Sequence, residues 1–260
     1  MSMFYKYCSI SCRSLRMITN GDLYFSPPHK LNDPLDCSFF PSAILGALEA
    51  IEDSDRRQAI KKLIQGDLKD RVTGDTDQIL EAIENRLKEV GILSLSTNFC
   101  DPLMWSHYGD EHKGICIGFD EDKLKTWVDK SASENLLIGD VGVTYQDAPD
   151  FVKVLEQYAK RYSDGREIIT DHLFVDLLMP ALRTKSKHWQ YESEVRIIRH
   201  KSGLLRISPD IVCAVIFGMR VSDADKDSIM QILDRSSLRH IRVGHSGYKS
   251  NSFEMEVNWT

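Results

Sequence analysis

Two glutamates and an arginine stand at alternate positions in segment 189–196, which reads Trp-Gln-Tyr-Glu-Ser-Glu-Val-Arg. If this segment is a strand, side chains alternate between its two faces, and Glu192, Glu194 and Arg196 share one face. Two carboxylates about 7 Å apart on a rigid strand can stabilise a cation or orient a hydroxyl group. We therefore predict Glu192 and Glu194 as catalytic residues, provided that their face lines a cleft.

The same alternation also has a purely structural explanation. The solvent face of an antiparallel sheet carries charged residues at this spacing, and there Arg196 would neutralise its neighbours. The segment Glu254, Met255, Glu256 repeats the spacing without other residues nearby that suggest chemistry. Spacing alone therefore leaves both interpretations open.

A second candidate cluster consists of Trp105, His107, Tyr108 and His112, in a predicted short helix and the turn after it. A histidine that titrates near neutrality could serve as acid or base, although a structural role explains either histidine as well. The five-residue spacing of His107 and His112 differs from the i, i+4 pair of a zinc-binding helix. We predict no metal site here and treat the four residues as substrate-binding or structural candidates.

Composition restricts the class of protein. The chain has 260 residues, 42% hydrophobic and 28% charged, with a formal net charge of -6. A chain of this length can bury a large core, and its dispersed basic residues offer no broad surface for duplex nucleic acid. No apolar run approaches the ~18 residues of a membrane-spanning helix, so we expect a cytoplasmic protein without membrane contact.

Cofactor and redox motifs are absent from the sequence. The six cysteines contain no Cys-x-x-Cys pair, which favours reduced, structural thiols. The chain has neither a Walker loop nor a Gly-x-Gly-x-x-Gly turn, so kinase, P-loop NTPase and Rossmann functions are poorly supported.

The order of predicted elements indicates an α+β fold. Short strands with local antiparallel pairing alternate with helices that are grouped between them. We predict one domain over residues 1–260 with a mixed or antiparallel sheet. Helical insertions are predicted at about 42–91 and 150–185, and a polar turn at Asn32-Asp33-Pro34.

Several motifs together resemble the bacterial DUF2971 family, whose members are named as uncharacterised. The resemblance covers most of the chain outside the helical blocks, and its last two motifs are the most specific. The motifs are Tyr5-Lys6-Tyr7, Leu23-Tyr24-Phe25-Ser26, Asn32-Asp33-Pro34, Ser94-Leu95-Ser96, 104–108 with 112–114, and 189–196.

A further resemblance is to ADP-ribosyltransferases. Segment 21–26 resembles the Gly-x-Tyr-Phe strand of the poly-ADP-ribosyltransferase branch, and segment 192–194 resembles the Glu-x-Glu motif of the arginine-modifying branch. This resemblance implies a split sheet that binds NAD as substrate and a macromolecular acceptor, protein or nucleic acid. It also implies a toxin or phage-defence effector of the glycosyltransferase class, with an antitoxin or regulatory protein as partner.

The same resemblance implies roles for individual residues. Glu194 would hold a ribose hydroxyl and stabilise the cation that forms on the ribose, while Glu192 would orient or deprotonate the acceptor. Tyr7 and Tyr24 would stack on nicotinamide, and Lys6 or Arg196 would contact phosphate. The residues that would bind NAD are Tyr5, Lys6, Tyr7, Tyr24, Ser26, Asn32 and Arg196.

Two alternatives remain open at this stage. A hydrolase or nuclease could hold Mg²⁺ between clustered carboxylates, and its activity would be sensitive to EDTA. Its carboxylates would be Asp33, Asp36, Glu192 and Glu194. A non-catalytic binding module would instead turn the charged strand towards water or a partner.

Overall fold

The computed structural model describes residues 2–37, 46–55, 57–58, 81, 84–85, 87–133, 137–147, 150–153, 155–156 and 178–260. The chain divides into two compact units. The first comprises residues 1–26, 91–143 and 188–260, and the second comprises residues 27–90 and 144–187. The second unit contains the segments in which the two helical insertions are predicted.

Twelve strands and four α-helices have defined bounds. The strands are β1 (Met3–Cys8), β2 (Asp22–Phe25), β3 (Gly91–Ser96), β4 (Ile115–Asp120), β5 (Leu137–Gly142), β6 (Thr144–Tyr145), β7 (Thr184–Lys185), β8 (Glu194–Arg199), β9 (Gly203–Arg206), β10 (Val212–Phe217), β11 (Arg242–Tyr248) and β12 (Met255–Trp259). The helices are α1 (Cys12–Asn20), α2 (Pro102–His107), α3 (Glu121–Ser133) and α4 (Asp223–Leu233).

The first unit is built on one eight-stranded sheet with the order β12-β11-β10-β4-β1-β3-β8-β5. Its neighbouring strands are antiparallel except for the parallel pair β10 and β11. A mixed sheet with separately grouped helices confirms the predicted α+β class.

The two faces of this sheet carry different side chains because direction alternates along each strand. On one face, apolar residues such as Phe4, Leu95 and Ile197 form the main core with residues of α1, α3 and α4. On the other face, Tyr5, Tyr7 and Cys116 pack with residues of α2 in a smaller, more aromatic core. The polar residues of β3 and β8 belong to this second face.

The sheet is nearly divided between β1 and β3, which pair at a single position, Tyr5 with Ser96. Further along the same edge of β3, Ile92 exchanges two backbone hydrogen bonds of 2.8 Å with Ser26, which follows β2. Between these two contacts, Lys6 Nζ donates to the carbonyl oxygen of Ser94 at 3.0 Å. We call this interval on the β3 edge the sheet split.

Strand β2 reaches the split from a separate two-stranded ribbon with β9. Helix α1 ends before it at Gly21, whose φ of 70° is left-handed and whose N–H bonds to the carbonyls of Arg16 and Met17. A Cβ at this glycine would lie 2.2 Å from the carbonyl oxygen of Ile207. Both the conformation and the close approach therefore require glycine at this corner.

The strand predicted over 189–196 begins only at Glu194, because residues Lys187–Glu192 form a 3₁₀ helix. Ser193 joins the two elements with a left-handed φ of 45°. The prediction that Glu192 shares a strand face with Glu194 and Arg196 is therefore wrong for Glu192. The prediction is correct for the other two residues.

The second unit is described in part. Strands β6 and β7 form a short parallel pair, and residues 46–49, 87–89, 151–153 and 178–183 are helical. Asp36 and Lys185 form a buried ion pair with a distance of 3.4 Å between Oδ2 and Nζ. The Asp33 carboxylate accepts from the backbone N–H of Leu35 at 2.9 Å, which closes a local turn. The remaining parts of the two predicted helical insertions lie outside the described residues.

Within the described parts of both units, no helix combines the length and apolar character needed to cross a membrane.

Candidate functional site

The first feature of the site is a buried ion pair on β8. Arg196 donates through Nε and Nη2 to the two carboxylate oxygens of Glu194, at 2.8 and 3.0 Å. The exposed fractions are 0% for the arginine side chain and 4% for the glutamate side chain. Removing two charges from water is costly unless they are paired and hydrogen-bonded, and two parallel bonds meet this requirement. The arginine therefore fixes the orientation of the Glu194 carboxylate.

The ion pair lies one strand away from the sheet split. Glu194 and Arg196 pair with Ser96 and Ser94 on β3, and these serines border the split on the opposite edge of that strand. The position follows from the alternation along β8, which turns Ile197 into the main core and the charged residues to the second face.

Glu192, at the end of the 3₁₀ helix, is held by two different elements. The Tyr108 hydroxyl donates to Glu192 Oε1 at 2.5 Å, and Ser96 Oγ donates to the Glu192 carbonyl oxygen at 2.7 Å. Burial raises the pKa of Tyr108, and its hydrogen bond to Glu192 raises it further. The phenol therefore stays protonated and acts as a hydrogen-bond donor to Glu192 at neutral pH.

The junction between the two glutamates has an uncommon backbone conformation. Ser193 is left-handed at φ 45°, and its carbonyl oxygen accepts from the N–H of Thr97 at 3.0 Å. A left-handed conformation costs an L-residue about 1–2 kcal/mol, so neighbouring contacts must maintain it. The turn directs Glu192 towards Tyr108 and Glu194 towards Arg196.

Lys6 lies in the split, and charged groups around it affect its pKa. Burial lowers the pKa of the Lys6 ammonium. Cys8 and then the Glu194 carboxylate oppose that shift, and the Arg13 guanidinium adds to it. The ammonium is therefore influenced by a carboxylate and by a second cation, while it donates to the Ser94 carbonyl.

Two of the tyrosines predicted to bind NAD lie in the smaller core. Tyr5 is 4% exposed and packs against Phe99, and burial raises its pKa to about 12. Tyr7 is 6% exposed, meets the Trp105 ring edge-on and donates its hydroxyl to the Asn98 carbonyl oxygen at 2.9 Å. Burial also raises the pKa of Tyr7. Both rings therefore belong to the packing of the smaller core.

The other predicted NAD-binding residues are dispersed. Tyr24 lies on the β2–β9 ribbon with the Arg13 guanidinium 5.0 Å from its ring centre. Ser26 contributes its backbone to the bridge with β3, and Asn32 belongs to the second unit. Arg196 is fully buried against Glu194, which gives it an orienting position instead of the predicted position at a phosphate.

Helix α2 positions the second candidate cluster. Asp101 caps the helix by accepting from the N–H groups of Leu103 and Met104, and the indole N–H of Trp105 donates to the Phe99 carbonyl oxygen at 3.1 Å. Tyr108 follows the helix directly, so this anchoring fixes the hydroxyl that contacts Glu192.

The two histidines of the cluster have different surroundings. His107 is exposed, with its ring centre 6.1 Å from that of Tyr191. His112 stacks on Trp105 at 6.3 Å, and its Nε2 lies 3.3 Å from Ser106 Oγ. Burial and the nearby Arg220 lower the pKa of His112, so it is neutral at pH 7. Among the contacts described above, Tyr108 is the one of the four candidates that bonds to a predicted catalytic glutamate.

Sequence reasoning missed the function of Ser96 in this arrangement. Its hydroxyl contacts the Glu192 and Asn98 carbonyl oxygens, and its backbone position pairs with both Tyr5 and Glu194. No local motif indicates this role, because the contact with Glu192 joins residues 96 positions apart.

The carboxylates of the metal-dependent alternative are in different parts of the chain. Asp33 and Asp36 belong to the second unit, and Asp36 is paired with Lys185. In the part of the chain that the structure describes, no group of three or more histidine, cysteine or acidic residues could hold a metal ion.

Comparison with known families gives a match over part of the chain. Residues 104–197 match the family described as "Protein of unknown function (DUF2971)". The match supports the resemblance seen in the sequence motifs. It begins in α2 and ends in β8, so it includes both the Tyr108–Glu192 contact and the Glu194–Arg196 pair. No curated protein and no solved structure matches the chain.

Proposed function

We propose that this protein is an NAD-consuming enzyme of the ADP-ribosyltransferase type, with Glu194 as its catalytic carboxylate. The observation that carries the proposal is a buried, oriented carboxylate one strand away from a sheet split in which Lys6 donates to the Ser94 carbonyl oxygen. The order of the elements along the chain supports the same function, with Lys6 on β1 and the carboxylate on the later strand β8.

The reaction breaks the bond between the nicotinamide nitrogen and the anomeric carbon of the ribose. The electron pair of this bond leaves with nicotinamide, and a positive charge develops on the ribose. A carboxylate held in a medium of low dielectric constant stabilises that charge mainly in the transition state. Arg196 keeps the Glu194 carboxylate in one orientation, which makes it a positioning residue.

Glu192 and Tyr108 then act in the step in which the acceptor reacts. An acceptor nucleophile forms a bond to the anomeric carbon and loses a proton, which the Glu192 carboxylate receives. The Tyr108 hydroxyl keeps this carboxylate in place by donating to one of its oxygens. Lys6 supplies positive charge for the pyrophosphate of NAD on the other side of β3.

The proposed activity suggests a biological role. An enzyme that consumes NAD and modifies a macromolecule can act as a toxin or phage-defence effector, and such an effector requires an antitoxin or another regulatory protein. This part of the proposal rests on the resemblance to ADP-ribosyltransferases.

The test is nicotinamide release from NAD by the purified chain, with a cell lysate as acceptor and without added metal. We expect release by the wild-type protein and at least a hundredfold loss in Glu194→Gln, since removing one electrostatic contact at such a site costs ~10²–10³ in rate. Glu254→Gln is the matched control, because it makes the same change in an exposed Glu-x-Glu segment.

Glu194→Gln also leaves the Arg196 charge without its carboxylate, so circular dichroism must show that the variant is folded. Glu194→Asp keeps the charge but withdraws it by one methylene, and we expect a folded protein with strongly reduced release. Release that needs metal and stops with EDTA would favour the hydrolase. A folded wild-type protein that releases no nicotinamide with any acceptor would favour the binding module.

A further inference from the structure

The outer face of the β2–β9 ribbon and the adjoining face of α1 form a surface of unusual charge for this chain. We call it the ribbon patch. It consists of Arg13, Arg16, Asp22, Tyr24, Leu204 and Arg206. It contains three guanidinium groups and one carboxylate, whereas the whole chain has a net charge of -6.

The patch is organised by Asp22. Arg206 Nε donates to Asp22 Oδ1 at 2.7 Å, and Arg16 Nε donates to Asp22 Oδ2 at 2.8 Å. Both bonds lower the pKa of Asp22, so its charge holds the two arginines in place at neutral pH. Each guanidinium has five N–H donors, and most of these are not used in the bonds to Asp22. The exposed fraction is 57% for the Arg16 side chain and 62% for the Arg206 side chain.

Tyr24 supplies an aromatic surface beside these charges. Strand alternation turns Leu23 and Phe25 into the main core and places Asp22 and Tyr24 on the other face, where the Asp22 carboxylate is buried against its two arginines. Tyr24 lies opposite Leu204, which is 52% exposed, and the Arg13 guanidinium lies 5.0 Å from the tyrosine ring centre. A partly exposed ring, an arginine and an exposed leucine thus lie next to two fixed cations.

We propose that the ribbon patch binds single-stranded nucleic acid. Arg16 and Arg206 contact successive backbone phosphates, and an unpaired base stacks on Tyr24 and Arg13 beside Leu204. Aromatic rings next to a cationic track are the usual means of binding single strands, because every base presents a flat face. An acidic peptide matches the arginines but has no group that needs the exposed ring.

This binding site goes beyond the proposed NAD chemistry and does not depend on it. If both proposals hold, a polynucleotide is the class of macromolecule that the enzyme brings to its acceptor position. The binding assay contains no NAD, so failure of one proposal leaves the other intact.

The test is fluorescence anisotropy with labelled dT and U oligonucleotides of about 12 nucleotides, a length within the usual range of single-strand sites. We expect binding that weakens with salt. Arg16→Ala and Arg206→Ala should each lower affinity and reduce the logarithmic salt slope by about 0.7, the value for one lost phosphate contact on a single strand. Each single variant leaves one arginine on Asp22, so the ribbon keeps its local structure.

Tyr24 distinguishes stacking from charge. Tyr24→Ala should weaken binding about tenfold, whereas Tyr24→Phe keeps the ring and should bind as the wild type does. Arg242→Ala is the matched control, because Arg242 also covers an aromatic ring, that of Trp259 at 4.3 Å, but lies on β11, near one edge of the eight-stranded sheet and outside the ribbon. It should leave binding unchanged.

Three outcomes would overturn the proposal. These are the absence of oligonucleotide binding, equal binding by the wild type and the patch variants, and equal losses in Arg16→Ala and Arg242→Ala. A labelled poly-glutamate peptide or anionic vesicles that bind with the same patch dependence, while oligonucleotides do not, would assign the surface to another partner.

Discussion

Two segments of this chain have the sequence Glu-x-Glu and very different environments. At residues 192–194, both glutamates are at most 6% exposed, and each contacts a side chain that fixes it, Tyr108 or Arg196. At residues 254–256, Glu254 is exposed and forms a surface pair with Lys249 at 2.6 Å, while Met255 fills the buried position between the glutamates.

The difference shows that spacing does not determine what a pair of glutamates can do. An exposed carboxylate is solvated by water and its ion pair contributes little, whereas a buried one interacts strongly with whatever charge is brought near it. The backbone produces the difference. Ser193 is left-handed and separates a 3₁₀ helix from β8, while Met255 begins the regular strand β12.

The largest effect is expected from removing the buried cation. Arg196→Met leaves the Glu194 charge buried without its arginine and should lower the free energy of unfolding by about 3–5 kcal/mol in urea denaturation. The double variant Glu194→Met with Arg196→Met removes both charges and should recover most of the loss. A loss below about 1 kcal/mol for Arg196→Met would contradict strong burial of the pair, since only exposed pairs contribute so little.

A smaller effect is expected from the hydroxyl that holds Glu192. Tyr108→Phe removes a hydrogen bond to a charged group and should cost about 1.5–3 kcal/mol of stability in the same measurement. Tyr248→Phe is the control, because Tyr248 is 45% exposed and should tolerate the change. Equal results for the two variants would mean that the contact with Glu192 contributes nothing.

The smallest effect is expected at the exposed segment. Lys249 lowers the pKa of Glu254 by hydrogen bonding and by its charge, so the pair stabilises the fold above the pKa of the unfolded glutamate. That contribution is lost as the pH falls through the lowered pKa. Glu254→Gln should therefore change the melting temperature slightly at pH 7 and less at acidic pH, and added salt should abolish the difference. A salt-independent loss would contradict a solvated pair.

The sequence predicted the local features of this fold well. Alternation correctly placed Glu194 and Arg196 on one face of a strand. The sequence Ser222 to Asp225 is typical of a helix cap, and the Ser222 hydroxyl accepts from the Asp225 N–H at 3.1 Å at the start of α4. Both features depend on residues within a few positions of each other, where backbone geometry is regular.

The site itself could not be predicted in the same way. Tyr108 contacts Glu192 across 84 positions, and Arg206 contacts Asp22 across 184. Glutamate and arginine are usually exposed, so burial of a strand face that carries them is uncommon. The alternation of charged residues therefore favoured a solvent-exposed sheet face as much as a buried site. The first half of the strand predicted over 189–196 is instead part of the 3₁₀ helix Lys187–Glu192. Polar and apolar residues alternate in this segment as they would in a strand, but the backbone turns at Ser193.

We propose that Glu194 is catalytic because it is buried and oriented by Arg196, and that the exposed Glu254 is not catalytic. The direct test is the rate of nicotinamide release from NAD by Glu194→Gln and Glu254→Gln, measured side by side with equal amounts of folded protein. We predict loss of at least two orders of magnitude in Glu194→Gln, the effect of one lost electrostatic contact, and a wild-type rate in Glu254→Gln. Equal rates in the two variants would contradict the assignment.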